Sequence, residues 1–321
     1  KVVITLNKYF LIPIIIFFII ISIFVFYLQF IYEDWKFIAP KKIIPEICND
    51  KAELEIITLS QDYHSDRSFK DNIDISSDFQ FHAIYLLPCE KKDRKFDINQ
   101  NIQSSLYAIN KWFIDKSNNQ KINFDKKIDN TIDVTFIRVN KTMNWFTGLS
   151  NSSKNREDSG SRIENIILSN SNIFNNFNKK KFIVFFEGWE KRTSLSFDIC
   201  GKSRFDGKIA IFFTSGKWKQ DVGNNKKMFS CLKDSLNEIN DQSFGDSEVT
   251  ILHEILHTLG FPSKCAINLD SENIFHVNDN EKDILNKLSG NMFLDFNNDD
   301  YYKHNIKNCP DLADSKYLIK F

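Results

Sequence analysis

The amino-acid sequence predicts an α+β domain, with helices packed on a mixed β-sheet, and three observations support this class. Stretches rich in aromatic and β-branched residues alternate with stretches whose apolar residues recur at helical spacing. One of the helical stretches carries two histidines four residues apart, in an H-E-x-x-H motif. A single long uncharged stretch predicts one transmembrane helix ahead of the domain. We therefore divide the chain into a membrane segment (1–35), a tether (36–78) and a folded domain (79–321).

The membrane segment is residues 9–32, which contain no charged side chain. As a helix these 24 residues are long enough to cross a hydrocarbon layer of about 30 Å. A cleaved signal peptide, which would leave the domain secreted, is the alternative. The stretch is long for a signal peptide, however, and no small-x-small cleavage pattern follows it. We therefore predict a single-pass N-terminal anchor with the folded domain outside the cytoplasm, in the periplasm or the extracellular space.

The folded domain shows the predicted order β-α-β-α-β-β-α. The predicted strands cover residues 79–87, 131–139, 181–186 and 208–213, and a short apolar patch at 54–58 is a candidate edge strand. The first helix spans about 98–113, and the second opens at Ser161, where Ser161 and Glu164 form a capping-box pattern. The third helix carries the H-E-x-x-H motif. Alternation of this kind predicts a mixed sheet covered by helices.

The H-E-x-x-H helix is the most informative stretch of the chain. We expect it to begin at a Ser247 cap and to end at Gly260 in a left-handed conformation. Residues four apart share one helical face, so His253 and His257 can hold one zinc ion together. Glu254 projects about 100° around the helix and is placed to act as a general base. The alternative is a buried helix in which the two histidines are only part of the core.

A zinc site of this kind needs a third protein ligand. A common extension of the motif places a histidine where this chain has Ser263, and serine is a poor zinc ligand. The candidates lie downstream. His276 ranks first because neutral imidazole suits zinc, and Glu281, at the start of a predicted helix, ranks second. Asp279 ranks third, and His304 is predicted to be an ordinary surface or core histidine.

Six cysteines and no C-x-x-C motif predict disulfides rather than a thiolate zinc site. An even number of cysteines after an export segment is typical of proteins outside the cytoplasm. Cys265 and Cys309 flank every candidate for the third ligand, and they are the expected pair. The alternative is that the cysteines are unpaired buried thiols.

A further polar segment, from Asp295 to Asp300, has oxygen-bearing side chains at alternate positions, as a calcium loop has. It lacks the glycine and the late acidic residue of an EF-hand. We therefore predict a solvated turn here.

Over residues 79–321 the chain resembles exported bacterial zinc metallopeptidases of the zincin class, in particular the metzincin-like ones. The blocks that carry the likeness are residues 82–88, 93–97, 253–265, 275–279 with 283, and 294–295 with 299–302. The specific block is H-E-I-L-H-T-L-G, which ends at Gly260. Two positions depart from the metzincin pattern. Leu285 stands where those enzymes carry methionine, and Ser263 replaces the third histidine.

The resemblance implies a zincin-like twisted mixed sheet whose edge strand, beside the zinc helix, holds the peptide substrate. By analogy that edge would be residues 208–214, and an ordinary core strand is the alternative. The resemblance also implies hydrolysis of peptide bonds. Together with the ligands ranked above, it predicts a zinc-dependent endopeptidase that uses Glu254 to activate water on zinc, with His253, His257 and His276 as ligands. A membrane-anchored zincin-fold protein without catalysis, in a binding or structural role, is the alternative function.

The expected partners are a peptide or protein substrate and the membrane. Lysine and arginine total 42, as do aspartate and glutamate, so no excess of positive charge indicates a nucleic-acid partner.

Overall fold

The computed structural model describes residues 47–148, 158–191, 198–222, 225–232, 243–287 and 290–321, together with residues 22 and 236. The chain divides into two compact units, Lys1–Pro45 and Glu46–Phe321. The transmembrane helix expected at residues 9–32 lies outside the described residues, apart from residue 22. Within the described part, no helix has the length and apolar character needed to cross a membrane.

The second unit is built on a six-stranded sheet. Its strands are β1 (Ile56–Ile57), β2 (Gln80–Pro88), β4 (Val134–Val139), β5 (Lys180–Phe186), β8 (Gly201–Ser203) and β9 (Ile209–Phe213). Their spatial order across the sheet is β1-β4-β2-β5-β9-β8. The four central strands run parallel, and the two edge strands are antiparallel to their neighbours. Every residue of the four central strands is buried, as expected for a parallel sheet covered on both faces.

Helices cover the two faces of this sheet. They are α1 (Asn101–Ser117), α2 (Met143–Phe146), α3 (Ser159–Ser169) and α4 (Asp246–Thr258). Alternate residues of β2 enter different apolar clusters because side chains alternate along a strand. Tyr85 and Leu87 pack with the apolar residues of α1 and α4, whereas Ile84 and Leu86 pack with those of α3.

Short strand pairs lie outside the main sheet. They are β3 (Gln120–Ile122) with β12 (Leu318–Lys320), β6 (Glu190–Lys191) with β7 (Asp198–Ile199), and the hairpin of β10 (Lys217–Val222) with β11 (Asn225–Ser230). Between α4 and β12 the described chain consists of turns, isolated bridges and the two short 3-10 helices Phe296–Asn298 and Leu312–Asp314.

The predicted α+β class and the order of the main elements are confirmed, with three local corrections. The helix expected to open at Ser161 begins two residues earlier, because the Asp158 carboxylate accepts the N–H of Ser161 at 2.8 Å and caps it. The strand expected at the sheet edge, residues 208–214, is an interior strand between β5 and β8. Residues 280–283 form a turn and do not begin a helix.

Part of the expected tether is folded. The compact unit begins at Glu46, and residues 56–57 supply the edge strand β1, as the apolar patch at 54–58 suggested. Farther along, the Asp62 carboxylate forms a buried ion pair with Arg138 at 2.7 Å. This part of the segment 36–78 therefore contributes to the packing of the domain.

Three disulfides stabilise this unit, and they join Cys48 to Cys89, Cys200 to Cys231 and Cys265 to Cys309. The predicted Cys265–Cys309 pair is confirmed. Disulfides of this number persist in oxidising compartments, so they indicate a location outside the cytoplasm.

Candidate metal centre

Helix α4 is fixed at both ends by local interactions. Gly245 is its N-cap residue, and the Glu248 carboxylate accepts the Gly245 N–H at 3.2 Å. Ser247, the expected cap, instead donates its hydroxyl to the carbonyl of Cys231 at 3.0 Å. Gly260 adopts a φ of +87° and ends the helix as predicted.

The three predicted histidine ligands meet at one point. His253 and His257 lie one turn apart on α4, and their Nε2 atoms are 2.9 Å apart. The Nε2 atom of His276 lies 3.2 Å from that of His253. Two nitrogens bound to one tetrahedral zinc at 2.0–2.1 Å would be roughly 3.3 Å apart, so this spacing fits a shared zinc ion.

Main-chain carbonyls fix the tautomers of the two helix histidines. His253 Nδ1 lies 2.7 Å from the carbonyl oxygen of Ile284, and His257 Nδ1 lies 2.8 Å from that of Phe261. A carbonyl only accepts, so each Nδ1 must carry the hydrogen. In a neutral ring Nε2 then presents a lone pair, and two lone pairs face each other across 2.9 Å. A cation between them removes that repulsion, and this orientation of imidazoles is typical of metal sites.

Burial keeps these rings neutral. It lowers the pKa of His253 well below the usual value, and the neighbouring rings of His257 and His276 lower it further. Burial also lowers the pKa of His257 to about 4, and it lowers the pKa of His276. Neutral imidazole is the form that binds metal, so the cluster is ready to ligate at neutral pH.

His276 is held beside the helix by a network of backbone hydrogen bonds. Its carbonyl accepts the N–H of Asp270 at 2.8 Å, and its own N–H donates to Asn273 at 2.9 Å. The next residue, Val277, donates to the carbonyl of Leu285 at 3.0 Å. The loop that carries His276 is therefore tied to the loop whose Ile284 carbonyl orients His253.

The other candidate ligands lie elsewhere. Asp279 belongs to a second cluster, with Asp299 and Asp300, and Glu281 is exposed. His304 Nε2 lies 3.0 Å from the carbonyl oxygen of Pro310. Ser263, which replaces the third histidine of the extended motif, has its hydroxyl 3.0 Å from Cys265 Sγ in the Cys265–Cys309 disulfide.

Glu254 is half-buried next to the histidines and is positioned by strand β8. Burial raises its pKa to about 7, and the hydrogen bond from the Ser203 hydroxyl to Oε2, at 2.5 Å, opposes that rise. Gly201 permits the close approach of strand and helix, because a Cβ atom at that position would lie 2.6 Å from Glu254 Oε1. Sequence patterns did not indicate Gly201 or Ser203, because the strand is only three residues long.

A cavity of about 750 Å³ opens onto this site. It is lined by Cys200, Gly201, Thr250, His253, Glu254, Asp270, Glu272, Asn273, His276 and Lys287. Two of the three histidines and the Glu254 carboxylate therefore share one solvent-accessible space, large enough for a segment of peptide.

Leu285 and the tyrosines of the C-terminal loop have structural roles. Leu285, where metzincins carry methionine, is fully buried. The Tyr301 hydroxyl donates to Asp283 at 2.8 Å, and the Tyr302 hydroxyl lies 2.7 Å from the Ser117 carbonyl oxygen. Both tyrosines are therefore engaged in packing and internal hydrogen bonds.

No known protein-family model, characterised protein or solved structure matches this chain. Arguments about its function therefore depend on the residues of the site.

Proposed function

We propose that this protein is a zinc-dependent endopeptidase of the zincin type, in which His253, His257 and His276 hold zinc and Glu254 is the general base. One observation carries the proposal: three imidazole Nε2 atoms converge, and two of these imidazoles line one cavity together with the Glu254 carboxylate. Three histidines form a zinc site that leaves a fourth coordination position open, which is the arrangement of catalytic rather than structural zinc.

Zinc at this position would polarise a peptide carbonyl and make water acidic enough to attack near neutral pH. Burial raises the pKa of Glu254 to about 7 in the metal-free chain, and a zinc ion beside it would lower that pKa. Glu254 would then be ionised at neutral pH and able to accept a proton from the attacking water. The same carboxyl group can then return the proton to the leaving amine nitrogen. The Ser203 hydroxyl occupies Oε2, and Oε1 has no hydrogen bond within the described part of the chain, so Oε1 is the oxygen suited to proton transfer.

Strand β8 supports a peptide as the substrate. It pairs with β9 on one side only and is the last strand of the sheet as described, so its other edge can pair with an extended chain. Gly201 and Ser203 of this strand both contact Glu254. A peptide added to β8 would therefore pass along the cavity that contains the general base.

The proposal extends to location. The disulfides support a domain outside the cytoplasm, and the uncharged residues 9–32 support a membrane anchor. The substrate would accordingly be a peptide or protein encountered on that side of the membrane.

Zinc content of the purified full chain tests the metal site. We expect about one zinc per wild-type chain and a large loss in His276→Ala, because two imidazoles alone hold zinc weakly. Glu281→Gln is the matched control, since Glu281 lies in the same region, is exposed and is outside the histidine cluster. Wild-type chain that takes up no zinc even after reconstitution, or full zinc in His276→Ala, would overturn this ligand assignment.

Peptide hydrolysis by the zinc-loaded chain tests the catalytic role. Glu254→Gln removes the base while keeping the shape of the side chain, so we expect zinc content to persist and hydrolysis to fall by about 10²-fold or more. Zinc binding without hydrolysis in the wild type would support the alternative, a zincin-fold protein with a binding or structural role.

A further inference from the structure

A second cluster of ligand-type residues lies apart from the histidines. The carboxylates of Asp279, Asp299 and Asp300 each offer an oxygen atom, and these atoms lie within 4.8 Å of one another. From the sequence we predict that Asp299 and Asp300 lie in a solvated turn and that Asp279 ranks third as a zinc ligand. The structure brings Asp279 to the turn across a sequence separation of about 20 residues.

The oxygens of this cluster are buried without hydrogen-bond partners. Both oxygens of Asp279 and Oδ1 of Asp299 each expose less than 1 Å² to solvent, and none has a partner among the described residues. Asp300 differs, because its carboxylate accepts the backbone N–H of Asn268 at 2.7 Å and the side-chain amide of Asn268 at 3.1 Å. Withdrawing carboxylate oxygens from water without a donor or a cation is costly, so these oxygens require a partner.

No lysine or arginine of the described residues supplies the missing positive charge. The ion pairs found there include none of the three aspartates. Burial raises the pKa of Asp279, and the neighbouring carboxylates of Asp300 and Asp299 raise it further. The nearby backbone N–H groups of Asp279 and Asn280 oppose this rise, but the net pKa of Asp279 stays above the usual value. The three acids therefore repel one another.

Two other acids hold the surrounding loop in this arrangement. The Asp295 carboxylate accepts the backbone N–H groups of Tyr301 and Tyr302, both at 2.6 Å. Asp283 accepts the N–H of Leu285 and that of Phe296, both at 2.8 Å. Asp283 and Asp295 therefore hold the loop in its conformation through these hydrogen bonds. The carboxylates of the cluster are the ones available to bind an external ligand.

We propose that Asp279, Asp299 and Asp300 bind a calcium ion. All the ligand atoms are carboxylate oxygens, and a set without nitrogen or sulfur suits hard cations better than zinc or copper. Calcium accepts irregular sets of six to eight oxygens, including water, and Asp279 and Asp299 are partly accessible as residues, so water can complete the shell. Magnesium demands near-ideal octahedral geometry, for which three unevenly held carboxylates are poorly suited.

Thermal unfolding of the full chain, freed of divalent cations and then given calcium, tests this site. With affinities typical of extracellular calcium modules, about 10 mM calcium should raise the midpoint by roughly 3 to 8 °C. Asp279→Asn should have two effects: a higher midpoint without calcium, because repulsion is relieved, and a smaller calcium-induced rise. Asp299→Asn should behave in the same way.

Calorimetric titration with calcium chloride gives the affinities directly. We expect at least about tenfold weaker binding in Asp279→Asn, because calcium affinity follows the number of charged ligands. Glu281→Gln, an equal change of charge two residues away on an exposed side chain, should bind calcium as the wild type does. Absence of binding to the wild type, or equal binding by Asp279→Asn, would overturn the proposal. Equal stabilisation by magnesium would overturn the choice of calcium.

Discussion

Two clusters of acidic side chains in this protein balance their charges in different ways. In the first, Lys180 extends its ammonium group into a group of buried carboxylates and contacts Asp71, Asp74 and Asp125. In the second, Asp279, Asp299 and Asp300 face one another with no basic side chain among the described residues between them. The first cluster contains its own cation, and the second must take one from solution.

The histidines show the same contrast. His82 belongs to the first cluster, where Nδ1 lies 2.7 Å from Asp125 and Nε2 lies 2.8 Å from Thr135 Oγ1. Both of its ring nitrogens are thus engaged with protein groups. His253 and His257 each use Nδ1 on a carbonyl and leave Nε2 pointing at another imidazole. Residue type alone does not separate a structural network from a candidate metal site; the groups that the ring nitrogens face differ between the two.

The largest effect should follow from removing the internal cation. Burial lowers the pKa of Lys180, but the carboxylates, Asp125 foremost, outweigh it and the net shift is upward. Lys180→Met leaves Asp71 and Asp125 buried without their partner, so we expect a loss of about 3–5 kcal/mol in the free energy of unfolding, measured by urea denaturation. Exposed Lys179→Met is the control, with a change within about 0.5 kcal/mol. Rescue of Lys180→Met by calcium or zinc would contradict the distinction between the clusters.

The next effect concerns the pH dependence of the metal-free protein. The pKa of His257 is lowered to about 4 in the folded state, against about 6.5 when unfolded. Between pH 4 and pH 6.5 the unfolded state therefore binds more protons at His257 than the folded state does. The contribution of His257 to the free energy of unfolding is fully present above pH 6.5 and is lost as the pH falls to 4. That loss amounts to about 3 kcal/mol.

Comparison with His257→Gln isolates this contribution, because buried acids with raised pKa values, Glu248 at about 7 among them, act in the opposite direction. The difference in unfolding free energy between the metal-free wild type and the variant should shrink by about 3 kcal/mol from pH 6.5 to pH 4. A difference that stays constant would show that His257 does not need to be neutral in the folded state.

The smallest effect concerns Glu254, the acid beside the histidines. Ser203→Ala removes the hydroxyl that donates to Glu254 Oε2. That hydrogen bond stabilises the charged form of the Glu254 carboxylate by about 1 kcal/mol. We expect the pH–rate profile for hydrolysis of a reporter peptide to shift upward by about 0.5 to 1 unit, with little change in zinc content. Ser203→Thr keeps the hydroxyl and should restore the profile. An unchanged profile in Ser203→Ala would remove Ser203 from the positioning of Glu254.

The part of the site that depends on local spacing could be predicted from sequence. His253, Glu254 and His257 lie on one helix, where four-residue spacing fixes their relation, and Gly260 ends that helix as expected. We ranked His276 above Asp279 and Glu281 on ligand chemistry. Of these three residues, His276 is the one that the structure groups with His253 and His257. The role of these residues in zinc binding stays a prediction.

The remainder depends on contacts between distant segments. Strand β8 has three residues and no alternating pattern, so its place at the sheet edge could not be inferred, and residues 208–214 were wrongly assigned to that edge. We predicted Ser247 as the helix cap from its residue type, but its hydroxyl donates a hydrogen bond to the Cys231 carbonyl instead. Asp279 meets Asp299 only through the folding of the loop between them.

The most direct test of the central claim is X-ray absorption spectroscopy at the zinc edge on the zinc-loaded full chain. We predict three imidazole nitrogens at about 2.0–2.1 Å and one further light ligand, with the imidazole signal reduced in His276→Ala. A shell that contains sulfur, a shell of carboxylate oxygens alone, or an imidazole signal unchanged in His276→Ala would contradict the assignment of His253, His257 and His276 as the zinc ligands.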